Sequence, residues 1–89
     1  MGGEPLCEEN LFLTALIIKE VKEKLPHIKI YVWTGYIYED LLKSNHHNLK
    51  YILNNIDVLI DGPYIQALRD ITLQMRGSSN QRIINLTKK

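Results

Sequence analysis

Cysteine occurs once in these 89 residues, at Cys7. A metal centre held by several thiolates therefore finds no ligand set in the chain, and a lone thiol fits a reducing compartment. Apolar runs are short. None reaches the roughly 18 residues that a membrane span needs, so no membrane partner is expected. No basic segment followed by an apolar one opens the chain, so no secretory signal is read and a cytoplasmic location is expected. Neither sign of charge is in large excess. A net charge of +1 gives no general attraction to nucleic acid or anionic lipid, and nucleic acid is not expected as a partner. Internal repeats, low-complexity tracts and linkers are missing as well. The histidines His27, His46 and His47 make no metal set. The adjacent pair points about 100° apart on a helix and to opposite faces in a strand. No third ligand has suitable spacing, so they read as surface residues. No nucleophile–base pair or phosphate loop is visible.

What is present is a globular composition, 45% apolar and 24% charged. The length fits one small domain, residues 1–89. A chain this short buries roughly two-thirds or less of its unfolded surface, so outside support is expected. From about Glu8 to Lys24 the pattern is helical, with Leu11, Ala15, Ile18, Val21 and Leu25 on one stripe. Leu11, Phe12, Leu13, Leu16 and Ile17 nearly surround the axis. A helix apolar all round is buried or covered by something else, and self-association is expected on that ground. Pro26 ends the helix. Residues 29–33 read as a strand of β-branched and aromatic residues, closed by Thr34 and Gly35. A second helical stretch begins near Tyr38 with Glu39 and Asp40 in its first turn, where the helix dipole favours acids. After a break at Ser44 and Asn45, Leu49, Ile52, Leu53 and Ile56 define an amphipathic helix. Val58, Leu59 and Ile60 read as a strand buried on both faces, as in a parallel sheet. Pro63 starts a brief helix through Leu68. Residues 71–75 are ambiguous, and Ile83 to Leu86 form a last strand. This alternation predicts an α/β fold with a small parallel sheet of right-handed βαβ units. So few strands leave edges to be covered by another chain or a larger parent fold.

Three groups of residues invite chemistry. In Gly2-Gly3-Glu4-Pro5 the glycines let backbone approach a ligand closely, and the carboxylate beside them can hold an ammonium group. The plainer reading is a flexible loop ahead of a helix. Ligands of parallel α/β folds gather at the carboxyl ends of strands. Thr34 and Asp61 end two predicted strands, so Glu4, Thr34 and Asp61 are expected to share one rim. Asp61 either accepts hydrogen bonds from a ligand or caps the turn into Gly62-Pro63. Thr34 either offers its hydroxyl or simply ends a strand. The third group is Arg76, Ser78, Asn80 and Arg82. These bind a carboxylate or phosphate with bidentate arginine geometry, dock a partner, or satisfy their own loop backbone. Arg76, Arg82, Lys88 and Lys89 meet no acid after position 75; a local anion site and a solvated tail both fit that pattern.

Gly2-Gly3-Glu4-Pro5, Trp33-Thr34-Gly35-Tyr36, the run from Asp57 to Tyr64 and the run from Arg76 to Ile83 are similar, in order and spacing, to a known family. They resemble the radical S-adenosylmethionine (SAM) enzymes that activate anaerobic ribonucleoside-triphosphate reductase. The Gly-Gly-Glu-Pro segment is typical of the whole superfamily, and the other motifs are more specific. The resemblance implies a partial (βα) barrel, of which this chain makes about half. It implies SAM and a [4Fe-4S] cluster held by a Cys-x3-Cys-x2-Cys triplet. Reductive cleavage of SAM then yields a 5′-deoxyadenosyl radical that takes hydrogen from a glycine of the reductase. By the same resemblance Gly2, Gly3 and Glu4 contact the amino group of SAM. Thr34, Asp61, Arg76, Ser78, Asn80 and Arg82 are the other expected cofactor-binding positions. Trp33 and Tyr36 either stack on an adenine or are buried aromatics.

The triplet does not occur in these residues. One thiolate cannot supply the three protein ligands of such a cluster. Met1 stands just before the glycine pair, so the expectation is a truncated product that binds neither cluster nor SAM by itself. A non-catalytic remnant acting in self-association or reductase docking is the alternative. Cys7 reads as a small residue near a helix start, or as a reactive thiol.

Overall fold

A computed structural model describes residues 4–63, 65–69, 72, 76 and 78–86. A 3-10 turn at Glu8–Asn10 leads into helix α1, Leu11–Lys24. Strand β1, Tyr31–Trp33, is followed by α2, Tyr38–Leu42, and α3, His47–Asn55. Strand β2, Val58–Asp61, a 3-10 turn at Gln66–Leu68 and strand β3, Arg82–Asn85, complete the order. The helical pattern from Glu8 and the two-part second helix thus appear close to where the sequence puts them. The ambiguous positions 71 and 73–75 lie outside the described residues, as do Gly2 and Gly3.

The three strands form one sheet in the order β1-β2-β3. β1 and β2 are parallel, with Val32 opposite Leu59, and α2 and α3 make the crossover between them. The expectation of a wholly parallel sheet is corrected at β3, which runs antiparallel to β2 with Asp61 opposite Arg82. The physical reason is local. A parallel return needs a crossover along the length of the sheet, usually a helix. Here the chain turns at Gly62, in the left-handed region at φ 100°, and stays near the strand end. Gln81 Nε2 donates to Gly62 O at 2.9 Å, and Asn80 Nδ2 donates to Pro63 O at 2.8 Å. The chain therefore re-enters the sheet from the end it left.

The sheet is covered on one face. Val32 and Leu59 join Leu11, Ala15 and Ile18 of α1, Leu41 of α2, and Leu49, Ile52 and Ile56 in one buried cluster, with Ile84 packed against it. β2 is buried at every position, because neighbours flank it on both sides. On the opposite face Tyr31, Trp33 and Ile83 stay exposed, and the two aromatic rings stack with centroids 6.4 Å apart. Of the predicted α1 stripe, Leu11, Ala15 and Ile18 are buried, Val21 is half-buried, and Leu25 is exposed beside Pro26. Phe12, Leu13, Leu16 and Ile17 are all exposed, as the apolar girth of the helix implies.

Leu59 is fully buried on the central strand. Leu59→Ala is expected to lose about 2–5 kcal/mol of stability through lost burial and a residual cavity. Equilibrium urea denaturation followed by circular dichroism measures it; a loss below about 1 kcal/mol contradicts this core.

Candidate functional site

Glu4 is where the loop ahead of α1 meets the sheet. Its carboxylate accepts from Thr34 Oγ1 at 2.6 Å, from Gly35 N at 2.6 Å and from Leu6 N at 3.0 Å. The loop is tied to α1 as well, by Asn10 Nδ2 to Glu4 O at 2.9 Å and Thr14 Oγ1 to Pro5 O at 2.8 Å. Asn10 thus spends its side chain on the loop rather than on capping α1. Thr34 N donates to Ile60 O at 2.9 Å, so the end of β1 is stitched to β2. Glu4, Thr34 and Asp61 do lie at the carboxyl ends of β1 and β2. An open depression of about 260 Å³ there is lined by Glu4, Pro5, Trp33, Thr34, Gly35, Gly62 and Gln81. A carboxylate has about four acceptor positions. Three are used here, which leaves Glu4 one for an incoming ammonium. The depression is smaller than the roughly 300–1,000 Å³ of a complete small-molecule site, so it suits part of such a ligand.

Asp61 is differently employed. It is almost fully buried, accepts from Tyr38 N at 2.8 Å, and takes both Nε and Nη2 of Arg82. Arg82 then reaches Glu39 with Nη1 at 3.1 Å and Nη2 at 2.7 Å. Burial pushes the Asp61 carboxyl up. The Arg82 hydrogen bond, the Tyr38 amide and the guanidinium charge outweigh it and hold the group below its ordinary value of 3.8. The Arg82 hydrogen bonds likewise lower Glu39, and Asp61 foremost, then Glu39, raises Arg82 above its ordinary value. Glu39 was legible in sequence only as an acid in a first helical turn. Its pairing with Arg82 spans 43 positions, and no local pattern announces it.

The loop from Arg76 to Arg82 largely serves its own backbone. Ser78 is fully buried, donates to Asn80 Oδ1 at 2.6 Å and accepts from Ile65 N at 3.2 Å. Arg76 Nη1 donates to Gln81 O at 3.0 Å, while its Nε is buried without a partner. Gln81, read in the sequence only as one of the polar residues of this loop, is buried and closes the loop between Ser78 N and Gly62 O. Trp33 and Tyr36 are exposed rather than buried. Cys7 is half-buried, and no group of metal-ligating side chains occurs among the described residues. These residues do not fit a [4Fe-4S] cluster, which needs several thiolates. They do fit the ammonium of a ligand at Glu4.

The fold is that of a small α/β domain with a three-stranded mixed sheet, its carboxylates and a hydroxyl collected at the carboxyl ends of β1 and β2. More particularly, the chain belongs to the 4Fe-4S single cluster domain family, whose model matches residues 1–84. Curated relatives carry the name anaerobic ribonucleoside-triphosphate reductase-activating protein. The Vibrio cholerae protein is 40% identical over 86 residues, covering 97% of this chain and 53% of that protein. The Haemophilus influenzae protein is 43% identical over 82 residues, covering 92% and 50%. The Enterobacteria phage T4 protein is 39% identical over 82 residues, covering 92% and 48%. The chain spans about half the length of the curated relatives it matches. No solved structure matches it. The resemblance read from the motifs is thus borne out by identity along nearly the whole chain.

The Asp61 carboxylate stabilises the fold while ionised. Its contribution is fully present above pH 3.8 and is lost as pH falls through the lower folded-state value. Asp61→Asn is therefore expected to lower the thermal midpoint at pH 7 by several degrees and to flatten the acid limb of the stability curve. Thermal melts between about pH 2 and pH 7 check it; an unchanged acid limb contradicts the assignment.

Proposed function

We infer that the chain is part of an activating protein for anaerobic ribonucleoside-triphosphate reductase. The carrying observation is the Glu4 carboxylate, held at the ends of β1 and β2 with an acceptor position to spare, in a chain whose relatives bear that name. In this reading the three strands are part of a partial (βα) barrel of radical SAM type, and the protein works in the cytoplasm.

Glu4 holds the amino group of SAM, and Gly2 and Gly3, which lie outside the described residues, are contact positions by the family resemblance. Thr34 and Gly35 aim the carboxylate by donating to its two oxygens. Trp33, exposed on the rim, gives the bound molecule an apolar wall. Bound there, SAM would supply, on one-electron reduction from a donor outside these residues, the radical chemistry that activates the reductase. Asp61 and Arg82 act at one remove, by fixing α2 and β3 about the rim. Arg76, with its unpartnered buried Nε, is the loop residue best placed for an anionic group of the ligand or the reductase. Ser78 and Asn80 support it by shaping the loop. The cluster ligands come from outside these 89 residues, and the chain alone carries neither cluster nor SAM turnover.

The exposed face of α1 bears the second part of the proposal. Phe12, Leu13, Leu16 and Ile17 form an apolar surface that a second copy covers. Phe12→Glu with Leu16→Glu removes it without touching the core.

Three measurements follow. In a protein that carries the cysteine triplet, Glu4→Gln is expected to weaken SAM binding about tenfold or more, the worth of one charged hydrogen bond; unchanged affinity overturns the site. Anaerobic iron–sulfide reconstitution of the 89-residue chain is expected to give no stoichiometric cubane signal in electron paramagnetic resonance. Sedimentation at tens of micromolar is expected to show association that the double α1 variant abolishes; a monomer for both proteins refutes the α1 interface.

A further inference from the structure

The first turn of α3 is closed by an unusual side chain. A helix N-cap must accept hydrogen bonds from backbone NH groups that have no partner within the helix, and Ser, Thr, Asp or Asn is the ordinary choice. Here the cap is His46. Its backbone is extended, at φ −70° and ψ 121°, and its Nδ1 accepts from Asn48 N at 3.2 Å. The residue is itself held in place. His46 N donates to Ser44 Oγ at 3.1 Å, and Lys50 N donates to His46 O at 3.1 Å. The ring stacks on His47 with centroids 5.5 Å apart.

An imidazole nitrogen accepts a hydrogen bond only while unprotonated, and both nitrogens of an imidazolium are donors. Proton uptake by His46 therefore does more than weaken the cap. It sets an N–H against the Asn48 N–H. It also places positive charge at the positive end of the helix dipole. The charged and titratable groups facing the ring are His47 and Lys50 on its own helix and, lining the same groove of about 380 Å³, Glu8 from the 3-10 turn, Asp40 from α2 and Tyr36. Glu8 and Asp40 are exposed, and Asp40 is paired with Lys43 at 3.8 Å.

We propose that His46 is an acid-labile cap: neutral, it closes the first turn of α3, and protonated, it releases that turn. Leu49 and Ile52 are the buried residues nearest the freed end, so acid loosens the contact of α3 with α1 while the sheet stays paired. The device is independent of the SAM reading, because it needs only the geometry of α3.

Amide hydrogen exchange of the 89-residue chain, corrected for intrinsic rates, tests it at about pH 7.5 and pH 5.5. In the wild type, protection of the first α3 amides is expected to fall about fivefold more than that of α1, the factor an ordinary N-cap is worth. His46→Asn keeps an acceptor that does not titrate, and is expected to abolish that excess. His46→Ala is expected to show weak α3 protection at both pH values. Equal α3 responses in wild type and His46→Asn, or an excess abolished by His47→Asn instead, overturn the proposal. Nitrogen-15 chemical shifts of the His46 ring give a second readout. The cap requires Nδ1 to be the unprotonated nitrogen at neutral pH, and the opposite tautomer refutes it even where the variants unfold.

Discussion

A carboxylate taken out of water must be paid for in partners, and Asp61 finds them in two other elements, α2 and β3. It sits at the end of the central strand, almost fully buried. The Tyr38 amide it accepts from is the first residue of α2, and the guanidinium it grips belongs to the first residue of β3. One ionised group thereby sets where α2 begins and where the chain re-enters the sheet. Arg82 extends the constraint outward to Glu39, which ties β3 back to α2 across the solvent side. Without such partners the charged form would be too costly to bury, and the strand end would have to open to water.

The rim depends on that arrangement. With β1 paired to β2 and α2 held, the chain between β1 and α2 brings Thr34 and Gly35 against Glu4. Gly35 has a reason to be glycine: a Cβ there would sit 3.3 Å from Glu4 Oε1. Gly62 has another, since its φ of 100° suits no ordinary side chain. The carboxylate of Glu4 is therefore positioned before any ligand arrives, and little ordering remains to be done on binding. The family to which the chain belongs is a cluster-binding one, yet the thiolates for a cluster are not in these residues. What the described residues do hold at the strand ends is one carboxylate fixed by three hydrogen bonds.

The exposed surfaces follow the same economy. The helix-covered face of the sheet is a complete small core, built from Val32, Leu59 and the inner stripes of α1 and α3. The other face leaves Tyr31, Trp33 and Ile83 in contact with water, and α1 turns four large apolar side chains outward. A core of this size satisfies one layer only. What remains is apolar surface on the open face of the sheet and on α1.

Much of this was legible in the residues themselves. The stripe through Leu11, Ala15 and Ile18, the apolar run of β2 and the amphipathic spacing of α3 each reflect a local period, and local periods survive folding. Glu4 and Thr34 were placed on one rim because ligands gather at strand ends, and the hydrogen bond between them bears that placing out. The direction of β3 was not legible, because Ile83 and Ile84 look alike in either orientation; the turn at Gly62 and the side chains of Asn80 and Gln81 settled it. Nor did sequence show that Asp61 and Arg82 spend themselves on each other, or that His46 caps a helix, since partners are chosen by proximity in space. The sequence by itself determined the elements and the family, because propensity and motif act over a few neighbouring residues. Only the tertiary structure decided which charges meet, because that requires bringing together positions such as 39, 61 and 82, which the chain keeps apart.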